Sequence, residues 1–388
     1  MTNLLSFRNQ FDSLKNCRYL ISNSLGAMPN SARDYAAKYC DLWQKSGVRA
    51  WEGEWWELSR KVGDKIGRLI GAAADTVSMH ANVTTAQAVA LSCFDFTGKR
   101  NKVVMIEQEF PSLLYLYERW LKNNGKLQII KCPDVITVPI ENLLNAIDKT
   151  TQLVSISHVL FRSSFIMDAR AIVEKAHRVG ALVMLDIFQS TGVLPIDITK
   201  LNVDFAVGGC LKWLCGGPGA CFLYVRPDLI DKLKPRFTGW LAHANPFDFD
   251  NTGMKYASGS YRFLNGSPVV PALYTCQAGL DIVTDIGIER IRKRSIEMTS
   301  RLINGAIQHG WKINTPLDSD DRAGTVSIGL PDASAVSEEL LKRDFLIDYR
   351  PNAGVRVSPH FYNTNDEIDE LINEMHSLTS QTSLKVQK

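Results

Sequence analysis

A lone lysine, Lys212, stands between two apolar runs of β character. Val203-Asp204-Phe205-Ala206-Val207 precedes it and Cys221-Phe222-Leu223-Tyr224-Val225 follows, with Gly216-Gly217-Pro218-Gly219 in the connection. An ammonium group held between buried strands is costly unless its charge is neutralised or used. Condensation with an aldehyde removes the ammonium form, and glycines just behind it let the backbone pass close to a bulky ligand. Upstream, the run Ala181-Leu182-Val183-Met184-Leu185 ends in Asp186, and Gln189 follows three residues later. A carboxylate at the carboxyl end of a parallel strand lies where open α/β sheets bind ligands. The interval from Asp186 to Lys212 holds a short connection and one further strand, which puts the two groups on adjacent strands.

An anion to face a pyridinium nitrogen and an amine to take up an aldehyde are the two groups that a pyridoxal phosphate site needs. Two more features extend the constellation. Asn82, Thr84 and Thr85 stand at the mouth of a helix whose apolar positions run on to Leu91, where free N–H groups and hydroxyls make an anion cup or a plain N-cap. Arg356 lies inside the apolar strand Gly354-Val355-Arg356-Val357, placed either to bind a carboxylate bidentately or to pair with a structural acid.

The elements that must carry these groups alternate. Strands are predicted at 102–106, 128–130, 152–157, 181–186, 203–207 and 221–225, with helices at about 112–123, 141–147 and 169–178 between them. Such βα alternation predicts an α/β fold with a mostly parallel, doubly wound sheet. Before it, a brief strand near Arg18 leads to a helix opened near Pro29, and a helix runs from about Trp55 to Ile70. The density of Trp43, Trp51, Trp55 and Trp56 predicts burial, here against another subunit. Past Arg226 a loop-rich stretch precedes long helices at about 271–284 and 288–309, and residues 310–380 alternate strand and helix in a smaller unit.

At 388 residues the chain is long enough for a large domain and a smaller one. Its net charge of +3, with no basic stripe, gives no argument for nucleic acid, and no apolar run is long enough to span a bilayer. The first residues lack the apolar core of a signal peptide, and the eight cysteines show no metal-binding spacing. A cytoplasmic, metal-free protein is the expectation.

Asn23-Ser24-Leu25-Gly26, Glu109-Phe110-Pro111, the Asp186 and Lys212 strands, Gly239-Trp240 and Val355-Arg356-Val357-Ser358-Pro359 occur in the order in which kynureninases carry such segments. From near residue 18 to about 375 the chain resembles kynureninase, within the class V aminotransferase-like enzymes of fold-type I. The resemblance implies pyridoxal 5′-phosphate and a large domain with a mostly parallel seven-stranded sheet plus a smaller α+β C-terminal domain. The corresponding division is 1–50 as an N-terminal segment on the small domain and dimer interface, 51–285 as the cofactor domain, and 286–388 as the small domain. It implies Lys212 as the aldimine-forming base that moves the Cα proton, and Asp186 as partner of the pyridine nitrogen. Gln189 would bond the ring's 3′-oxygen and Phe110 would stack on the ring. Thr84, Thr85 and the Trp240 indole would line the phosphate cup. Asn23 and Arg356 would bind substrate, with Arg356 on the α-carboxylate. The same resemblance implies a homodimer with shared sites, Asn265 and Ser267 reaching the neighbouring one.

Departures from the pattern bear on the reaction. Kynureninases place a tyrosine immediately before the lysine and a serine before that; here Leu211 and Cys210 stand there. Leu211 can neither bind phosphate nor donate a proton to a leaving carbanion. Leu113 replaces an aspartate, and Leu160-Phe161-Arg162-Ser163-Ser164 replaces an Asn-Tyr-Arg-Thr-Gly segment. The expectation is therefore an enzyme acting on a small amino acid, with transaminase, C–C hydrolase and β-lyase branches open. A catalytically silent paralogue serving as a binding or scaffold protein is the alternative.

Overall fold

The computed structural model describes residues 4–386, with side chains described to Ser380. Its first strands are β1 (Arg18–Tyr19), β2 (Val77–His80), β3 (Lys102–Ile106), β4 (Lys126–Ile130), β5 (Thr151–Ser157), β6 (Leu182–Asp186), β7 (Phe205–Gly209) and β8 (Cys221–Val225). Then come β9 (Lys312–Ile313), β10 (Val326–Gly329), β11 (Phe345–Leu346), β12 (Asp348–Arg350) and β13 (Gly354–Val357).

The central sheet has seven strands in the order β2-β8-β7-β6-β5-β3-β4. Neighbours from β7 to β4 are parallel, while β8 runs antiparallel to both β7 and β2. Both faces of this sheet are covered, which is why its strands read as nearly unbroken apolar runs. Alternate residues serve opposite layers. Val103 and Met105 pack with Val89 and Tyr117 from helices Val83–Leu91 and Pro111–Leu121. Val104 and Ile106 face the layer that holds Ile66, Ile172 and Leu280 from helices Trp56–Ile70, Ala169–Arg178 and Val270–Ile286.

The C-terminal stretch builds a separate antiparallel sheet, β12-β13-β10-β9. Met298, Leu340 and Leu371 from three helices cover it over Val326, Ile328 and Val355. The N-terminal segment ties both parts together. β1 pairs in parallel with β11, and Arg8 bonds Glu367 at 2.7 Å. Helix Ala32–Ser46 lies along helix Val270–Ile286, with the Tyr39 and Tyr274 rings 5.9 Å apart.

The alternation from residue 102 to 225 is the one expected, with ends shifted by one or two residues. β2 was not anticipated, because its four residues run straight into the Asn82 cap. The N-terminal helix starts at Ala32 rather than near Pro29. Of the tryptophans expected to be buried, Trp55 is, whereas Trp43 is 57% exposed in the single chain.

Candidate active site

Asp186 and Lys212 meet where the sequence placed them, at the carboxyl ends of β6 and β7. Between them and the small sheet lies a cavity of about 410 Å³, in the range of ligand sites. β6 delivers Asp186 to its floor. The chain then turns so that the Phe188 N–H donates to Asp186 Oδ1 at 2.8 Å. Burial raises the Asp186 carboxyl to about 6, opposed by that hydrogen bond and by Lys212. Lys212 sits in the turn after β7 with its Nζ 4.5 Å from the centre of the Phe188 ring and 5.9 Å from that of Phe110. Desolvation lowers its amine to about 8, against the pull of Asp186 and with the push of Arg356. An amine so held carries or loses a proton near neutrality.

The turn that presents Lys212 is pinned from the N-terminal side. The Gly26 N–H donates to the Leu211 carbonyl at 2.8 Å. A Cβ at Gly26 would fall 2.2 Å from the Lys212 carbonyl oxygen, so only glycine permits this approach. The same segment brings in Asn23, whose carbonyl accepts from Gln189 Nε2 at 3.1 Å. The Gln189 Oε1 in turn accepts from the Trp213 indole at 2.9 Å. Asn23 is buried, and both polar atoms of its side chain lack a protein partner while it lines the cavity.

At the opposite wall, helix Val83–Leu91 opens onto the cavity through Asn82, Val83 and Thr84. Asn82 caps it by accepting from the Thr85 N–H at 2.9 Å and from its hydroxyl at 3.1 Å. Thr85 thereby turns away and lines a smaller neighbouring depression with Asn265 and Ser267. Arg356 reaches the cavity from β13 and is bidentate to Asp348, so the structural-acid partner is present as well. Phe110, at the start of helix Pro111–Leu121, lines the cavity with its ring edge-on to Phe161.

One expected phosphate ligand is not brought in. Trp240 lines a separate surface concavity with Phe249 and packs on Trp56, because the turn Trp240–Ala242 lies over helix Trp56–Ile70. Three contributors escaped the sequence reading. Arg350 lines the cavity beside Arg356. Ser157, next to Asp186 across the sheet, also lines it, and its N–H donates to Glu109 Oε1 at 2.8 Å. Glu109 is buried behind Ser157, and desolvation raises its carboxyl to about 8. The alternation of Asp348 and Arg350 just ahead of the Arg356 strand was the available signal for the first; Glu109 stood in the Glu109-Phe110-Pro111 segment with nothing to mark its burial, and nothing local marked Ser157.

The family model for class V aminotransferases matches residues 19–371. The chain belongs to the class V aminotransferase family. Among curated relatives, it is 29% identical to the Bacillus subtilis protein named uncharacterized aminotransferase YcbU, over 96% of this chain and 97% of that one. It is 30% identical to the kynureninase of Bacillus cereus, over 94% of this chain and 89% of that one. Among solved structures, the cysteine desulfurase of Thermococcus onnurineus NA1 superposes with a TM-score of 0.84 at 21% identity, covering 98% and 99% of the two chains. The C-DES protein with glycine covalently linked to its cofactor gives 0.86 at 20% identity, covering 95% and 98%.

The protein is thus a pyridoxal phosphate-dependent enzyme of fold-type I. The cavity residues fit that group. An amine, a buried carboxylate, an unpartnered buried amide at Asn23 and an open helix N-terminus converge on one space of suitable size. Among the described residues no helix is long and apolar enough to cross a membrane.

Proposed function

We propose that the enzyme transfers the amino group of a small α-amino acid, with Lys212 as the base that moves the proton at the α-carbon. Bound in the cavity, pyridoxal phosphate supplies an aldehyde and an electron sink conjugated to the substrate nitrogen. Asp186 would hold the ring nitrogen protonated, Gln189 would reach the 3′-oxygen, and Phe110 would face the ring. Asn82, Thr84 and the first N–H groups of helix Val83–Leu91 would hold the phosphate. Asn23 would bind substrate with its open amide, and Arg356 would orient the α-carboxylate.

One observation weighs against the hydrolytic branch. Among the described residues lining the cavity there is no tyrosine, histidine or glutamate; Asp186 is committed to the ring nitrogen and burial pushes the Cys221 thiol up to about 12, which leaves Lys212 to move protons near neutral pH. Transamination and β-elimination need no more than such a shuttle, and the relative named as an aminotransferase favours the first. Hydrolytic C–C cleavage needs a second acid beside the leaving carbon, and Leu211 occupies the place of the kynureninase tyrosine. The same reading takes the enzyme as a cytoplasmic homodimer, with Trp240, Asn265 and Ser267 at the neighbouring site. Support for the dimer comes from exposed Trp43, Val48 and Phe249.

The test incubates the holoenzyme with single amino acids, with and without a 2-oxo acid acceptor. We expect acceptor-dependent oxo-acid formation and no anthranilate from kynurenine. Efficient anthranilate release by the wild-type chain would reject transamination as the native chemistry.

A further inference from the structure

Two guanidinium groups and one carboxylate share a face of the small sheet. β12 runs antiparallel to β13 with Asp348 opposite Arg356 and Arg350 opposite Gly354. Residues opposite each other, and residues two apart, project to the same side, so Asp348, Arg350 and Arg356 form one patch. Asp348 Oδ1 accepts from Arg356 Nε at 2.7 Å. Its Oδ2 is shared by the terminal nitrogens of Arg356 and, at 3.2 Å, of Arg350. The other terminal nitrogen of Arg356 donates to the Phe161 carbonyl at 2.5 Å. Three N–H groups of Arg356 are therefore in use, leaving one on each terminal nitrogen. The Arg356 side chain is 4% exposed and that of Arg350 45%, and both line the cavity.

Two cations held by one anion leave a single positive charge over the substrate space. One further carboxylate completes the set, and Asp348 already displays how a carboxylate oxygen bridges the two arginines. Beyond the patch the lining includes the apolar Val159, Phe161, Phe110 and Leu211, and its remaining cation, Lys212, is committed to the cofactor in the catalytic reading, so that among the described lining residues a second carboxylate finds no further cation.

We propose that Arg350 is a specificity residue: with Arg356 it forms a two-armed clamp on the substrate α-carboxylate, in a site selective for amino acids with an uncharged, apolar side chain. This rests on the catalytic reading above for the identity of the ligand as an amino acid. Arg356 is the rigid inner arm, locked by Asp348 and Phe161. Arg350 is the outer arm, nearly half exposed, held by Asp348 and by donation of its other terminal nitrogen to the Tyr349 carbonyl at 2.8 Å.

The test measures binding to the holoenzyme by calorimetry with three probes. These are 3-phenylpropionate (carboxylate without amine), phenethylamine (amine without carboxylate) and succinate (two carboxylates). Arg350→Ala should weaken 3-phenylpropionate about ten- to a hundredfold, the loss expected for a charged hydrogen bond. Phenethylamine should bind as in wild type, and Arg350→Lys should recover part of the carboxylate affinity. For an apolar amino acid, KM should rise in Arg350→Ala while kcat holds. Unchanged 3-phenylpropionate affinity in Arg350→Ala would overturn the clamp. Succinate binding about tenfold more tightly than 3-phenylpropionate would overturn the apolar specificity, since Arg350 would then serve a side-chain acid. Borohydride labelling tests the catalytic reading separately. An unlabelled Lys212 would sink that reading alone, because the carboxylate affinities decide the role of Arg350 without it.

Discussion

Burial without full pairing sets the chemistry of individual groups at this site. Lys212, Asp186 and Glu109 are each displaced toward neutrality by desolvation, to about 8, about 6 and about 8. The displacements make opposite contributions to stability. Glu109 keeps its proton in the folded chain across a range where the unfolded chain has lost it. Its contribution is therefore present below about pH 4.5 and is lost as pH rises toward 8. Lys212 behaves the other way: the unfolded chain binds its proton between about 8 and 10.5, so its contribution grows with pH across that interval. Glu109→Gln removes the first term while keeping an acceptor for the Ser157 N–H. We expect the melting temperature of Glu109→Gln, relative to wild type, to rise between pH 4.5 and pH 8.5. Each unit of pKa displacement is worth about 1.4 kcal/mol, so a shift of this size is readable by calorimetry. A difference that stays flat with pH would show that Glu109 is ionised in the folded protein.

At the scale of elements, the site is a meeting of ends. The strands β5, β6 and β7 present Ser157, Asp186 and the Lys212 turn on one edge of the sheet. Helix Val83–Leu91 adds its N-terminus, and the segment around Gly26 closes over the lysine turn. Gly26→Ala would drive a methyl group into the Lys212 carbonyl. Overpacking of this kind costs about 1–3 kcal/mol. The expected outcome is a lowered melting temperature together with weakened cofactor retention on dialysis, because the same contact holds the lysine turn. Asn82→Ala should act more locally. It removes the cap from Thr85 at a cost of about 1 kcal/mol and weakens cofactor binding in proportion to the fraying of the first turn. Retention of cofactor by both variants at wild-type levels would show that neither contact matters to the site.

At the scale of the whole molecule, the chain on its own leaves a good deal of apolar surface uncovered. Trp43 is 57% exposed, Val48 81% and Phe249 73%. Trp240 lies outside the cavity of its own chain, while Asn265 and Ser267 edge a depression beside the helix that caps it. In the proposed homodimer a second copy would cover these residues. Sedimentation is expected to give a dimer at micromolar concentration. Trp240→Phe should then loosen cofactor only if the indole completes the neighbouring site; a monomer with full cofactor retention would reject the shared-site arrangement.

The central sheet and its two chemical residues were legible from residue types alone, because a sheet covered on both faces demands unbroken apolar strands. Interruptions such as Asp186 and Lys212 stand out against that background, and their strand-end positions follow from the alternation. Phe110, Thr84, Asn23 and Arg356 could be named from the motifs around them, and each lines the same cavity. Tertiary structure alone decided what those motifs left ambiguous. Thr85 is turned from the cavity toward the Asn82 cap, since the Asn82 side chain captures both of its donors. Trp240 points away because its turn is held by Trp56, more than 180 residues earlier in the chain. Arg350 meets the cavity only because the β12–β13 hairpin packs beside Phe161, and Glu109 acquires its surroundings from burial behind Ser157, 48 residues later in the chain. Local patterns carry information about periodicity and charge, whereas which buried group finds a partner depends on contacts that exist only once the chain has folded.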